Sequence, residues 1–298
     1  MSDLLLYLSS VLIWGSTWFA IEFQLGEVSP TVSLFYRYLL AAAVLFGWCL
    51  WRGLPLRFGW RAHRVFVLLG LLLFGLNYAA AYQAQFYISS ALNAIMFSML
   101  LWLNIINARL IFGTRIEGRV WVGAAFGLLG IVVLFWPELA TTGLTGGVMI
   151  GVGFSLLGAT VASFGNMAAQ WGSRQSLPVV QSNAWGMAYG ALGQLLFAVL
   201  RGDEFVFDSS PAYVISLVYL AVFGSVIAFG TYLTLLGRIG AHRAGYVVVM
   251  FPIVALILSA LFEGLALTPT LGVGVGLALL GNVLVLRGAK VPAKEEAQ

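Results

Sequence analysis

PELATTGLTGG, residues Pro137 to Gly147, parts the chain into two halves that each carry five long apolar runs. The halves can be laid on one another. Tyr82, Phe86, Ala91 and Ala94 stand 150 positions before Tyr232, Leu236, Ala241 and Ala244, and Phe112 keeps that offset from Phe262. Pro30 matches Pro178 at 148, while Gly123, Gly130 and Val133 match Gly274, Gly281 and Leu284 at 151. Only small insertions separate the copies. With an odd number of crossings per copy, the second copy begins on the opposite face of a bilayer and runs upside down relative to the first.

The composition demands the bilayer that this reading assumes. With 61% hydrophobic and 9% charged residues and a mean hydropathy of +0.98, the chain has too little polar surface for a soluble globule. Hydrocarbon about 30 Å thick takes about 20 helical residues to cross. Ten runs of that kind extend roughly over Leu4 to Ile21, Val32 to Trp51, Val65 to Gln85, Ser90 to Ala108, Val120 to Trp136, Val148 to Trp171, Val179 to Leu200, Ala212 to Leu236, Ala244 to Phe262 and Thr270 to Leu286. Open strands are excluded because lipid cannot satisfy a bare backbone edge, and barrel strands would alternate over about ten residues. The fold class expected is therefore all-α: a polytopic membrane protein with ten transmembrane helices in two inverted five-helix repeats. These occupy residues 1–137 and 148–288, with a periplasmic connecting loop at 138–147 and a cytoplasmic polar tail at 289–298. No Lys or Arg precedes the first run, so it reads as a retained helix and not as a secretory signal.

Orientation follows from the basic residues, which stay in cytoplasmic loops. Loops after even-numbered runs and the C-terminal tail hold Arg52, Arg57, Arg61, Arg64, Arg109, Arg115, Arg119, Arg174, Arg238, Arg243, Arg287, Lys290 and Lys294. The other face has Arg201 alone, diluted by Asp203, Glu204 and Asp208. Both termini are expected in the cytoplasm of a bacterial cell, with the chain in its inner membrane. The basic residues form no stripe, so a nucleic-acid partner is not expected. Cys49 is the single cysteine, and His63 and His242 fall in loops without Cys, Asp or Glu clusters, so neither a disulfide nor a metal site is expected.

Polar and aromatic side chains inside the runs are the candidates for function. WGSTWFA in helix one puts Trp14 and Trp18 on one face, with Ser16 and Thr17 near mid-depth; an interfacial belt suits Trp18 better than the deeper Trp14. Helix two carries Arg37, the only charged side chain inside any run. Such a residue costs roughly 2.5 to 3.5 kcal/mol to insert and needs a partner or water. It either snorkels outward or pairs with Glu22 or Glu27, or else it attracts a substrate carboxylate. Helix three supplies Asn77, Tyr78, Tyr82 and Gln83, and helix four a stripe of Asn93, Phe97, Leu101 and Asn104, where amides serve packing as readily as binding. Helix six brings Ser155, Thr160, Ser163 and Asn166, helix seven Trp185 and Tyr189, helix eight Tyr232, and helix nine Tyr246 with Pro252 in mid-run, a fixed kink or a gate. The glycines of helices five and ten read as packing residues.

Every Asp and Glu lies outside the runs, and P-loop, GxSxG and HExxH motifs are absent. No carboxylate at mid-membrane is expected to carry a proton, and nothing supports ATP hydrolysis, common hydrolase chemistry or a cofactor. The chain is expected not to be an enzyme.

WGSTWFA, the proline before FYRYLLAA, and the small-residue starts ALNA and AHRAG of helices four and nine resemble the drug/metabolite transporter superfamily and, more narrowly, an EamA-type carrier. The resemblance runs to about Gly288. It implies a central cavity between helices one to four and six to nine, helices five and ten at the periphery, and export of amino acids or other metabolites. The aromatic interior is similar to that of aromatic amino-acid exporters. Leu101 departs from the family, which often has proline there, so the gates of helices four and nine are expected to differ. Helix one lacks the embedded Glu of the short basic relatives, which argues against proton coupling. The expected activity is export or facilitated diffusion of neutral, aromatic amino acids and related metabolites by alternating access. The expected partners are that small-molecule substrate and membrane lipid. Its lining would comprise Trp14, Thr17, Arg37, Tyr78, Tyr82, Phe97, Asn104, Asn166, Trp185, Tyr189 and Tyr246, with Pro252 gating. The alternative is a carrier for nucleotide-sugars or phosphorylated metabolites, which would need several cations in its cavity.

Overall fold

The helices are α1 (Asp3–Glu22), α2 (Pro30–Trp51), α3 (Trp60–Gln85), α4 (Ser90–Phe112), α5 within 118–136, α6 (Gly147–Arg174), α7 (Val179–Arg201), α8 (Pro211–Arg238), α9 (Tyr246–Phe262) and α10 (Pro269–Gly288). This computed structural model describes residues 1–113, 118, 121–123, 125–127, 129, 130, 132, 133, 136, 147–239, 244, 246–264 and 267–288. The remainder of the break at 137–147 and the tail at 289–298 lie outside the described residues. No strand occurs among those described.

Local chemistry sets the helix ends. The Ser2 hydroxyl accepts a bond from Leu5 N at the start of α1, with Asp3 in the first turn against the positive end of the helix dipole. Ser29 and Pro30 start α2, and Ser210 and Pro211 repeat the device in α8. α4 and α7 end on Gly113 and Gly202, both left-handed at φ 71°. α3 reaches back to Trp60, so Arg61, His63 and Arg64 stand on its first turns and not in a loop. An apolar-run count stops at charges, whereas a helix backbone leaving the membrane does not.

The packing has the symmetry that the inverted repeat requires. α1 lies against α9 as α6 lies against α4, α3 against α7 as α8 against α2, and α3 against α6 as α8 against α1; α2 and α7 face each other across the axis. α5 and α10 meet backbone to backbone: a Cβ on Gly281 would stand 2.6 Å from Gly123 O and from Gly127 N, and one on Gly130 would stand 2.5 Å from Ala278 N. Small residues let membrane helices approach this closely, where van der Waals contact replaces the hydrophobic drive.

Four interruptions mark the helices nearest the middle. α3 and α8 each pass through a π-helical segment, Leu69–Leu76 and Val222–Ile227, at corresponding places in the two repeats. Such segments widen a helix by one residue and free backbone groups. Ser225 Oγ donates to Leu220 O and Gln194 Nε2 to Gly75 O, so side chains take up a carbonyl just before the segment of α8 and one within that of α3. α4 breaks between Phe97 and Leu100 without a proline. Pro252 lies inside α9, where it cannot donate to the carbonyl four residues earlier.

Candidate functional site

The helices enclose a cavity of about 60 Å³ near mid-depth. Its walls come from three repeat-related pairs: α1 and α6, α3 and α8, α4 and α9. α1 contributes Trp14, Thr17, Trp18 and Ile21 from successive turns of one face. α3 adds Asn77 and Tyr78, α4 Phe97, α6 Asn166, α8 Phe229 and Tyr232, and α9 Val248 and Phe251.

Two aromatic groups close the space. Nearer the Asp3 end, Trp14 meets Phe229 at 5.0 Å between ring centroids and Tyr232 at 4.8 Å. Nearer the Glu22 end, Trp18 meets Phe97 at 4.8 Å and stacks on Phe251 at 5.9 Å. Four of the lining residues carry an unusual polar atom. Trp14 Nε1, Asn77 Oδ1, Asn166 Oδ1 and Tyr232 Oη are all buried without a hydrogen-bond partner among the described residues. Buried polar atoms are normally paired, and each that is not costs free energy. One N–H, one hydroxyl and two amide oxygens are therefore left unpaired on residues that line a space walled by rings.

The whole chain matches known proteins. The EamA-like transporter family model matches residues 1–136 and again 149–287, one match per repeat. The chain belongs to the EamA-like transporter family. This EamA protein is a membrane transporter of the drug/metabolite transporter superfamily. It is 28% identical to the uncharacterized inner membrane transporter YedA of Escherichia coli (strain K12), over 95% of this chain and 90% of that one. It is 25% identical to a probable amino-acid metabolite efflux pump of the same organism, over 96% and 93% of the two chains. A solved crystal structure 20% identical in sequence superposes with a TM-score of 0.70, covering 95% of this chain and 96% of the other, which shows the shared fold.

Within this EamA transporter the candidates read from the sequence fall into three places. Trp14, Thr17, Tyr78, Phe97 and Asn166 line the cavity. Arg37, Tyr82 and Asn104 stand one layer behind: Arg37 Nη1 donates to Tyr82 Oη at 3.4 Å, and Asn166 Nδ2 to Asn104 Oδ1 at 3.3 Å. Trp185 and Tyr189 lie apart from it against α3, with Trp185 Nε1 donating to Leu56 O at 3.2 Å and Tyr189 Oη 2.9 Å from His63 Nδ1. For Arg37, Trp185 and Tyr189 the reason is that α2 and α7 pack outside the six lining helices, whereas Tyr82 and Asn104 belong to lining helices but do not line the space. The Tyr246 side chain lies outside the described residues. Trp18, Phe229, Tyr232 and Phe251 also line the cavity; the sequence placed Trp18 on the face of Trp14 but suited it better to an interfacial belt, marked Tyr232 by its 150-residue offset from Tyr82, and gave no signal for Phe229 or Phe251. The remaining amides of α4 bind across to α6, Ser155 Oγ donating to Asn93 Oδ1 at 2.6 Å and Asn107 Nδ2 to Ser163 Oγ at 2.8 Å.

At the Glu22 end hydrogen bonds tie α3 to α1 within the first repeat and α4 to α9 between the repeats. Gln85 Nε2 donates to Glu22 Oε1 at 2.7 Å. The hydroxyls of Ser90, from α4, and Ser259, from α9, both donate to the Glu263 carboxylate. Hydrogen bonds to a charged group are worth about 1.5–3 kcal/mol each, so Glu263→Ala should raise the population open at this end by about tenfold or more. Alkylation of a cysteine placed at Thr17 measures this, because the native Cys49 is buried. An unchanged labelling rate would show that the tie does not hold the end shut.

Proposed function

We propose that this transporter exports, or lets diffuse, neutral aromatic amino acids and related small metabolites across a bacterial inner membrane by alternating access, with both termini in the cytoplasm. The observation that carries the reading is the set of four unpartnered polar atoms on residues that line a ring-walled cavity. A zwitterion with an aromatic side chain supplies what they lack. Asn77 Oδ1 and Asn166 Oδ1 would accept from its ammonium, Trp14 Nε1 and Tyr232 Oη would donate to its carboxylate, and the rings of Trp14, Trp18 and Phe97 would stack on its side chain. The named efflux relative supports the amino-acid class, and the basic loops support the orientation.

A space of about 60 Å³ is smaller than the apolar cavity of about 150 Å³ that accepts benzene. Solute entry therefore requires the lining helices to part, which is the rocking that an inverted repeat performs about a central site. The break in α4 and Pro252 in α9 are where these two repeat-related helices would bend. A phosphorylated solute fits less well, because Arg37 is the one Lys or Arg buried among the described residues. Uptake of labelled tryptophan, threonine and a sugar into proteoliposomes, with and without a proton gradient, tests the proposal. Tryptophan uptake independent of the gradient is expected; uptake of neither amino acid would reject the substrate class.

A further inference from the structure

Arg37 is the most deeply buried cation among the described residues, with 0% of its surface exposed, and it holds an incomplete set of partners. Its Nε donates to Ser225 Oγ at 3.0 Å and its Nη1 to Tyr82 Oη. The guanidinium carbon lies 4.5 Å from the centre of the Tyr78 ring and 5.3 Å from that of Tyr38. Among the described residues no carboxylate pairs with it, and Nη2 has no acceptor. Glu22, the nearest sequence candidate for a counter-ion, is engaged by Gln85 instead. Neutral hydroxyls and ring faces soften the cost of a buried positive charge but leave it uncancelled.

The free corner of this guanidinium lies close to Thr17, a residue of the cavity wall. A Cβ on Gly224 would stand 2.7 Å from Thr17 Cγ2 and 3.4 Å from Arg37 Nη2, so Thr17 and Nη2 both lie against the same glycine of the π-helical segment of α8. Thr17 and Tyr78 are cavity wall on their other sides. Arg37 is thus one side chain away from the solute, and a turn of Thr17 about χ1 would uncover it. We infer that Nη2 of Arg37 is an anion subsite that takes the carboxylate of the transported solute. The identity of that solute rests on the function proposed above; the anion chemistry does not.

The test compares two isosteric probes, indole-3-propionate and its neutral amide, binding to the purified full-length transporter. The carboxylate should bind about 10- to 100-fold more tightly, the range for one hydrogen bond to a charged group. Arg37→Gln should erase the difference, and Arg37→Lys should keep part of it. Equal binding of the two probes, or a preference that survives Arg37→Gln, would overturn the inference. If neither indole binds, the aromatic-solute reading fails. The subsite is then read from thermal unfolding in acetate or chloride against acetamide, the neutral counterpart of acetate. Stabilisation by the small anions that disappears in Arg37→Gln supports the subsite, and no stabilisation overturns it. Should Arg37→Gln not fold, Gly224→Ala retains the charge and puts a methyl group beside Nη2. It should abolish the same preference, and full preference in that variant would equally sink the proposal.

Discussion

Trp14→Ala is expected to lower solute uptake by the reconstituted transporter at least about tenfold per folded molecule. Trp14 is the residue that both aromatic recognition and polar recognition pass through. Its ring sits edge-on to Phe229 and tilted to Tyr232, and its Nε1 is the one unpartnered N–H in the cavity wall. Aromatic contacts are worth about 0.5–1.5 kcal/mol beyond their buried area, and loss of a buried hydrogen bond adds about 1 kcal/mol. Together these reach the 1.4 kcal/mol that corresponds to a factor of ten. The ring borders an existing space but also packs against three clusters of buried residues, so uptake is referred to the folded fraction measured by size-exclusion chromatography. Trp14→Phe separates the two roles, since it keeps a ring against Phe229 and removes the N–H. Binding assays on both variants check the prediction, and wild-type uptake by Trp14→Ala would take Trp14 out of the solute path.

Gly70→Leu should have the largest effect on stability. Gly70 lies in the π-helical segment of α3, and a Cβ there would be 2.8 Å from Gly186 O, 2.8 Å from Gly190 N and 2.6 Å from Tyr189 Cβ. Two of those three neighbours are backbone, so no rotamer change relieves the collision and α3 must leave α7. Overpacking where side chains can adjust already costs about 1–3 kcal/mol, and this contact between the two repeats cannot adjust. Loss of the monodisperse species in size-exclusion chromatography is the expected result. Gly47→Ala is the control: nothing stands within 4 Å of a Cβ at that position, so the change should stay within about 0.5 kcal/mol. A Gly70→Leu protein as stable as Gly47→Ala would refute the close approach of α3 and α7.

Much of the architecture is written in short-range properties. The length of an apolar run, a serine and proline before it, and a glycine after it decide where a helix begins and ends. Nine runs accordingly reappear as α1 to α4 and α6 to α10, with ends shifted by a few residues. The mutual offsets of Tyr82 and Tyr232, or Gly130 and Gly281, expose the repeat because two copies of one packing scheme conserve their spacings. Odd crossing number then dictates inversion. The fifth run falls partly outside the described residues.

The rotation of each helix about its own axis was not legible in the same way. In water an apolar stripe reports which face is inside, but in lipid both faces are apolar, so Trp185 and Tyr189 carried no mark that would set them against α3 and away from the cavity. Of the carbonyls taken up at the π-helical segments, Leu220 O is met by Ser225 of the same helix, but Gly75 O is met by Gln194 of α7, a donor brought there by packing and not by local propensity. The surroundings of Arg37 are likewise tertiary. Sequence determined that one charge enters the membrane, while only the folded bundle decided that it meets hydroxyls and rings from three helices with Nη2 left unpaired, because those groups come from positions far apart along the chain.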